Sequence, residues 1–419
     1  MDTELLLSSR AKLEEHVHQV VQETPVFDIH THLYDPAFGS LLLYGIDDLL
    51  TYHYLVAEVF RYTDLSYEAF WKLSKKQQAD EIWQRLFIEN SPVSEACRGV
   101  ITTLNRLGID VGNRDLDQVR RWYQEQTPQQ IVDRCLSAAN VERICMTNSP
   151  FDPEERPVWE RGFERDPRFV GGLRIDPLLL DWPKVGEELN RDGFAVSRDL
   201  NQASFDSIRR FLEKWTQTFG ARYLMVSLPP TFTYPDSEPI TNILDHAVIP
   251  HCRENNLPLA LMIGVKRGVN PQLQLAGDGM GRTELQALEN LCQKHSETKF
   301  LCTVLAKENQ HELCVLARKF PNLHIFGCWW FTNVPYVIEE MTRLRLELVG
   351  LSVTPQHSDA RVLDQLIYKW GHSREIIAKV LSEKYWDLAR AGWRMTSQEI
   401  HRDVKNLLGG AFETFCQRT

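Results

Sequence analysis

Eight short runs rich in β-branched and other apolar residues alternate with segments of helical periodicity along this chain. Most of the runs are apolar enough to be buried on both faces, as strands of a parallel sheet are. Strands that alternate with helices eight times predict an α/β fold, the (β/α)8 barrel of the TIM type, with a doubly wound open sheet as the main alternative. The predicted strands cover residues 26–31, 143–147, 169–175, 223–228, 257–263, 299–304, 323–327 and 348–353.

The connection after the first predicted strand is far too long for a single helix. Residues 35–139 contain several amphipathic stretches, which indicate a helical insertion lying over the barrel mouth. Residues 1–34 then supply an N-terminal helix over 4–23 and the first strand. Residues 140–419 supply the remainder of the barrel, followed by C-terminal helices from about residue 373 to 415.

Composition excludes several classes of protein. The chain has 419 residues, of which 43% are hydrophobic and 25% charged, values typical of a globular protein with ample core. A net charge of −10 without a basic cluster argues against a nucleic-acid partner. No apolar run approaches the length of a membrane span, and no basic region precedes the short leucine run near the N-terminus. Nine cysteines without a Cys-x-x-Cys pair favour free thiols, so we expect a cytoplasmic protein without a membrane partner.

The first predicted strand ends in a His-x-His pair, His30 and His32. Side chains two apart on a strand share a face, so these imidazoles can form half of a divalent-metal site. The spacing alone is weak evidence, because roughly 0.4 such pairs are expected by chance among 13 histidines. His16 and His18 have the same spacing but lie in a predicted helix, where residues two apart point in nearly opposite directions. We interpret that second pair as surface residues.

A catalytic metal usually has three protein ligands, and barrel enzymes place them at the carboxyl ends of the strands. Asp359, which follows the eighth predicted strand, is the best candidate for the third ligand. Two alternatives remain open. Ser358 or Asp359 could cap a helix that begins at Ala360, and His357 could be the ligand instead.

Other candidates for a site follow the predicted strands. Arg174 and Arg361 could hold a substrate carboxylate in a bidentate fork, although most arginines form surface ion pairs. Trp329 and Trp330 could line a substrate pocket. Because adjacent residues on a strand face opposite ways, we expect one of them in the pocket and the other in the core.

Three further features receive a structural interpretation. Asp28 could orient an imidazole from the same strand face, but a hydrogen bond to a group at the barrel bottom is the favoured interpretation. His324 lies inside the seventh strand and is interpreted as a core histidine. Residues 277–281 (Gly-Asp-Gly-Met-Gly) look like a phosphate loop but do not follow a strand directly, so we predict a turn-rich loop.

Taken together, these motifs resemble the uronate isomerase (glucuronate isomerase) family of the amidohydrolase superfamily. The similar segments occur in the same order over most of the chain. They are Phe27-Asp28-Ile29-His30-Thr31-His32-Leu33, His53-Tyr54, Thr147-Asn148-Ser149-Pro150, Leu173-Arg174-Ile175-Asp176, Gly327-Cys328-Trp329-Trp330-Phe331 and Ser358-Asp359-Ala360-Arg361.

The resemblance implies a metal-dependent aldose–ketose isomerase that acts through an enediol on a hexuronate of the glucuronate or galacturonate type, or on a related sugar acid. It also implies roles for individual residues. The metal ligands would be His30, His32 and Asp359; the catalytic groups Asp359 (or a water molecule), His53 and Tyr54; and the substrate-binding groups Arg174, Arg361, Trp329 and Trp330.

The chain departs from the family at two places. Leu228-Pro229-Pro230 stands where the family commonly has Asp-His-Gly, and Met262 stands where it has a histidine. Asp359 also lies six residues past the eighth predicted strand, farther than the family spacing. Binuclear amidohydrolases use a lysine of strand four and histidines of strands five and six, which this chain lacks. We therefore expect one divalent metal ion, zinc first, with manganese, iron, cobalt or nickel as alternatives.

Two other functions stay open at this point. The departures are compatible with a mononuclear hydrolase or decarboxylase of the same superfamily that acts on another carboxylated small molecule. A sugar-acid-binding protein without catalysis is the third hypothesis. We expect a homo-oligomer, although an apolar helix face can pack either within a chain or between subunits.

Overall fold

Seven parallel strands curl around a common axis in the computed structural model of this chain, which describes residues 9–236 and 239–418. Within the sheet each strand pairs in parallel with the next barrel strand along the chain, as in a barrel. A separate antiparallel hairpin, β6–β7, follows β5. The bounds are β1 Val26–Thr31, β2 Val141–Asn148, β3 Phe169–Arg174, β4 Leu224–Leu228, β5 Leu259–Ile263, β6 Val265–Lys266, β7 Gly279–Met280, β8 Phe300–Val304 and β9 Leu323–Ile325.

An extended segment, residues 353–360, occupies the position of the eighth strand. On one side the amide of Thr354 donates to the carbonyl of Ile325 at 3.1 Å. On the other side the amide of His32 donates to the carbonyl of Ala360 at 2.7 Å. The segment therefore closes the sheet between β9 and β1, and the predicted TIM-type barrel is confirmed.

The predicted strand over 348–353 is wrong. Its first two residues form the last turn of a helix, Pro335–Val349, which ends at Gly350 with a positive φ of 63°. Glycine adopts this left-handed conformation without steric cost, so it divides the apolar run into the end of a helix and a turn. The eighth strand position begins at Val353 and includes Asp359. The six-residue spacing between the predicted strand and Asp359 therefore came from placing the strand too early.

The helices surround the barrel and fill the first connection. The predicted N-terminal helix is confirmed over α1, and its predicted residues 4–8 lie outside the described part of the chain. The described helices are α1 Arg10–Glu23, α2 Ile46–Leu50, α3 His53–Val59, α4 Tyr67–Trp71, α5 Lys75–Trp83, α6 Glu95–Arg106, α7 Leu116–Gln124, α8 Pro128–Ala139, α9 Arg156–Arg161, α10 Asp176–Leu180, α11 Trp182–Arg191, α12 Gln202–Phe219, α13 Ile240–Ile243, α14 Ile249–Glu254, α15 Gln286–Lys294, α16 Gln310–Lys319, α17 Pro335–Val349, α18 Gln365–Arg390, α19 Ser397–Lys405 and α20 Ala411–Gln417.

Seven of these helices, α2 to α8, lie between β1 and β2, where the sequence predicts a helical insertion. The division of the chain into three parts at residues 34 and 139 stays a prediction. Among the described residues, no helix combines the length and the apolar character that crossing a membrane requires. All nine cysteines are free thiols, and eight of them are buried.

The barrel interior is apolar at its amino-terminal end. Phe412 and Phe415 of α20 pack against inward-facing residues such as Phe27 and Tyr223, with the Phe412 ring 5.8 and 6.0 Å from those two rings. His324 belongs to this interior as predicted. It is buried, and its Nε2 lies 2.9 Å from the hydroxyl of Thr354. Polar groups therefore collect at the opposite end, where the strands terminate.

Candidate metal centre

Three side chains converge at the carboxyl end of the barrel. Oδ1 of Asp359 lies 3.5 Å from Nε2 of His30 and 3.3 Å from Nε2 of His32. One ligand atom from each residue lies within 4.8 Å of the others, and no second group of this kind occurs among the described residues. His30 is fully buried, and the side chain of His32 is 20% exposed. The cluster is thus open toward the barrel mouth only at His32.

Each imidazole is oriented by a hydroxyl group behind it. Nδ1 of His30 lies 3.3 Å from the hydroxyl of Tyr223, which donates its own proton to the carbonyl of Ile29 at 2.8 Å. A hydroxyl that donates its proton elsewhere can only accept from the ring. Nδ1 of His30 therefore carries the hydrogen, and Nε2 presents a lone pair to the cluster.

His32 has the same arrangement with a different hydroxyl. Its Nδ1 lies 3.1 Å from Oγ1 of Thr147, which donates to the carbonyl of Thr31 at 2.9 Å. Burial lowers the pKa of His32 to about 3, so the ring is neutral at physiological pH. Neutral imidazoles with free Nε2 atoms are the form that binds a divalent metal.

Asp359 reaches the cluster from an unusual backbone conformation. Its φ is +53°, in the left-handed region that L-residues seldom adopt. Its amide donates to the carbonyl of His30 at 3.1 Å, which ties the turn to β1. No helix begins at Ala360, since α18 starts at Gln365, so a helix cap at Ser358 or Asp359 is excluded.

His357 lies beside the cluster but is not part of it. Its ring is 5.0 Å from the ring of His30 and fully buried. The ring occupies the space next to Gly327, where a Cβ atom would come within 1.6 Å of it. Asp28 accepts hydrogen bonds from the Ser358 amide and the Trp370 indole, and the structure shows no bond from it to an imidazole.

The residues present fit a divalent metal. Nε2 of His30 and Oδ1 of Asp359 are buried and have no hydrogen-bond partner within the described chain. Buried polar atoms without partners are rare, because each costs the desolvation of a polar group. Two imidazoles and one carboxylate form a three-ligand set that leaves a coordination position for water or substrate.

A cavity at the barrel mouth surrounds this cluster. The predicted site residues His53, Arg174, Trp329, Trp330 and Arg361 all contribute to its wall. The complete set is His30, His32, Tyr52, His53, Arg174, Ser227, Met262, Arg267, Leu275, Asp278, Trp329, Trp330, Asp359 and Arg361.

The expectation that only one of the two tryptophans faces the pocket is wrong. β9 ends at Ile325, and the chain then turns, with a φ of +47° at Trp330. The alternation of a strand therefore does not apply: both tryptophans line the cavity, and Trp329 also packs in the barrel interior.

His53 is partly buried, with its ring 5.2 Å from that of Trp330. Its Nε2 has no partner among the described residues, and burial lowers its pKa to about 3. Tyr54 packs behind His53 at a ring distance of 4.6 Å and does not line the cavity.

The two candidate arginines differ in their partners. Arg174 forms a bidentate ion pair with Asp176, with both contacts at 3.0 Å. Burial alone lowers the pKa of Arg174, but the adjacent carboxylate outweighs that effect and raises it. Arg361 has no side-chain partner within residues 9–236 and 239–418, so its guanidinium is available for an anion.

Comparison with known proteins identifies the family. A scan against protein-family models and a search of curated proteins found no match. A crystal structure of a uronate isomerase from Bacillus halodurans C-125 superimposes with a TM-score of 0.97. Its sequence is 50% identical, and the alignment covers 99% of this chain and 98% of that chain. This chain belongs to the uronate isomerase family.

Two more distant structures share the fold of the family. A uronate isomerase from Thermotoga maritima is 15% identical, with a TM-score of 0.78 over 98% of both chains. A glucuronate isomerase from Caulobacter crescentus is 14% identical, with a TM-score of 0.78 over 100% of this chain and 97% of that chain. The family resemblance that the motifs indicate is therefore confirmed.

Several residues of the cavity in this uronate isomerase family member were not predicted from sequence. Leu275 and Asp278 reach the cavity from the loop of the β6–β7 hairpin, close to the glycine-rich segment at 277–281. The prediction of a turn-rich loop is wrong for Gly279 and Met280, which form β7, and Asp278 of the same segment lines the cavity. The signal that could have found this contribution was the concentration of glycines within the connection between two barrel strands. Tyr223 and Thr147 gave no comparable signal as supports for the histidines.

Met262 and Ser227 line the cavity on two neighbouring barrel strands. Met262 is buried on β5 and lines the cavity, as does Ser227 on β4. Neither supplies a strong metal ligand. Together with the isolated His30–His32–Asp359 group, this supports the expectation of one metal ion.

Proposed function

We propose that this protein interconverts the aldose and ketose forms of a hexuronate, of the glucuronate or galacturonate type, or of a related sugar acid. One observation carries the proposal. In a member of the uronate isomerase family, a His-His-carboxylate cluster opens into the same cavity as Arg361, a guanidinium without a carboxylate partner among the described residues. A metal ion can bind sugar oxygens, and a guanidinium in the same cavity can bind a carboxylate, so together they suit a small sugar acid.

His30, His32 and Asp359 would hold one divalent metal ion, with zinc first among the candidates. When bound, the ion supplies Lewis acidity that stabilises negative charge developing on a sugar oxygen. The chain supplies the remaining groups. Arg361 binds the substrate carboxylate, and Trp329 and Trp330 wall the cavity around the sugar.

The reaction moves one proton between neighbouring carbons through an enediol. Asp359 removes the proton from C2 of the aldose and returns it to C1, using Oδ2 because Oδ1 faces the imidazoles. The proton of the C2 hydroxyl passes to the C1 oxygen, so the carbonyl moves to C2 without change in composition. His53, neutral and unpartnered at Nε2 within the described chain, contacts the sugar oxygens during this transfer.

Incubation of the zinc-loaded protein with glucuronate and galacturonate in deuterated water tests the proposal. We expect ketose formation, with deuterium entering C2 when ketose reverts to aldose. Asp359→Asn should lower turnover by on the order of 10²–10⁴-fold, since it removes the base. His30→Ala should lose the metal, whereas His18→Ala, the same substitution in the surface His-x-His pair, should keep both metal and activity.

Absence of ketose and of deuterium exchange would overturn the isomerase proposal. Turnover of lactones or aromatic acids in its place would favour a hydrolase or decarboxylase. A binding protein without catalysis predicts that His30→Ala abolishes metal content but leaves sugar-acid affinity nearly unchanged.

A further inference from the structure

Lys369 is a buried lysine next to the metal centre. It lies in the first turns of α18 and is 3% exposed. It forms no ion pair within residues 9–236 and 239–418; its Nζ lies 5.4 Å from the ring centre of Tyr54. Burial lowers the pKa of Lys369 to about 8, and the carboxylate of Asp359 is the charge that opposes this shift most. An unpaired buried amine is costly, so its retention calls for a local function.

Within the part of the chain that the structure describes, the ammonium group has one hydrogen-bond acceptor, the carbonyl of Ser358, at 2.6 Å. That carbonyl also accepts from Nδ2 of Asn333 at 3.3 Å. The amide of Ser358 donates to Asp28 at 3.1 Å on the other side. Both peptide groups of Ser358 are therefore held by buried side chains that come from distant parts of the chain.

The carbonyl of Ser358 belongs to the peptide that precedes Asp359. Rotation of this peptide about the N–Cα bond of Asp359 is the angle φ, which is +53° here. A left-handed conformation is sterically unfavourable for an L-residue, so it needs external support. A donor that fixes the carbonyl oxygen fixes the peptide plane and, with it, the direction in which the carboxylate points.

We propose that Lys369 is a positioning residue of the metal centre, which holds the left-handed backbone of Asp359 through the Ser358 carbonyl and so aims the carboxylate at the two imidazoles. The inference rests on the metal site of the proposed function. Lys369 acts through Asp359 and does not itself touch substrate. Residues 353–360 do not form a regular strand, so fewer backbone hydrogen bonds fix this segment. Lys369 on α18 provides a side-chain hydrogen bond to it instead.

Lys369→Met tests the role, since methionine keeps most of the side-chain volume and removes the donor and the charge. Zinc affinity is measured by competition with a chromophoric chelator, and the cobalt-loaded protein is examined by visible absorption. We expect zinc affinity about 10–100-fold weaker and a changed cobalt spectrum. Lys379→Met is the matched control on the same helix, because Lys379 pairs with Glu339 at the surface and is 55% exposed.

A merely structural lysine would give the opposite pattern. The melting temperature of Lys369→Met would fall, while zinc affinity and the cobalt spectrum would stay those of the wild type, and this result overturns the inference. Asn333→Leu removes the second donor and should weaken zinc binding in the same direction by a smaller factor. If Lys369→Met does not fold, wild-type zinc affinity in Asn333→Leu overturns the inference. Failure of the wild type to bind zinc overturns the metal site itself, a distinguishable outcome.

Discussion

The two halves of the candidate metal centre are built in different ways. His30 lies near the end of β1 and His32 directly follows it, and each imidazole contacts one hydroxyl that donates to the carbonyl of the residue preceding that histidine. Asp359 lies on an irregular segment with a left-handed backbone, and side chains from three distant elements hold it. A barrel strand thus positions the histidines, whereas buried polar contacts to a segment outside the named strands position the carboxylate.

The largest effect is expected on the free energy of unfolding, when a side chain that supports the segment carrying Asp359 is removed. Asp28→Leu removes the carboxylate that accepts from the Ser358 amide and the Trp370 indole, leaving two buried donors unpaired. We expect a loss of about 3–5 kcal/mol in the free energy of unfolding, measured by urea denaturation. Asp64→Leu is the control, since that side chain is 98% exposed, and its change should stay within about 0.5 kcal/mol. A loss below about 1 kcal/mol at Asp28 would mean that the segment holds its shape unaided.

The difference between the halves also explains what the sequence could predict. β1 was predicted at its observed bounds, because Val26, Phe27 and Ile29 give an apolar run that leads into the His-x-His pair. The eighth strand position was predicted too early. Residues 354–359 (Thr-Pro-Gln-His-Ser-Asp) are polar yet buried, and hydrophobic periodicity cannot detect them.

The supports of these polar residues lie far away in sequence. Gln356 donates to Asn333 and Ser373, which are 23 and 17 residues away. The hydroxyls behind His30 and His32 come from residues 193 and 115 positions further along. Such pairs depend on the register between strands and on helix docking, which one sequence does not reveal. The ligands could be found from local pattern and family resemblance; their supports could not.

A pH-dependent effect on stability is expected from Glu155, which lies near the ends of the strands that carry and support His32. Glu155 accepts from the Ser149 amide, the Trp159 indole and the Tyr34 hydroxyl, which joins the ends of β1 and β2. Burial raises the pKa of Glu155 from 4.5 to about 7. The folded state therefore binds this proton more tightly than the unfolded state, so the contribution of Glu155 to stability is greatest below pH 4.5 and falls as the pH rises toward 7.

Glu155→Gln should remove that decline. The free energy of unfolding of the wild type should fall relative to the variant by about 2–3 kcal/mol between pH 4.5 and 7. Urea denaturation at several pH values under the same metal conditions measures the difference. Glu154→Gln, at the neighbouring exposed position, should leave the pH profile of the wild type unchanged. Parallel profiles for the wild type and Glu155→Gln would show that this carboxyl titrates normally in the folded protein.

The smallest effect is expected on zinc affinity, when the Thr147 hydroxyl that contacts His32 is removed. Thr147→Val keeps the shape of the side chain and removes the acceptor at Nδ1, so the ring loses its fixed tautomer. We expect zinc affinity to fall about 10–100-fold, or about 1.4–2.7 kcal/mol, with little change in unfolding by urea. Thr303→Val is the matched control, because that hydroxyl is buried on β8 without a partner in the described chain. Wild-type zinc affinity in Thr147→Val would show that the strand alone orients the imidazole, and the contrast between the two halves would then be greater still.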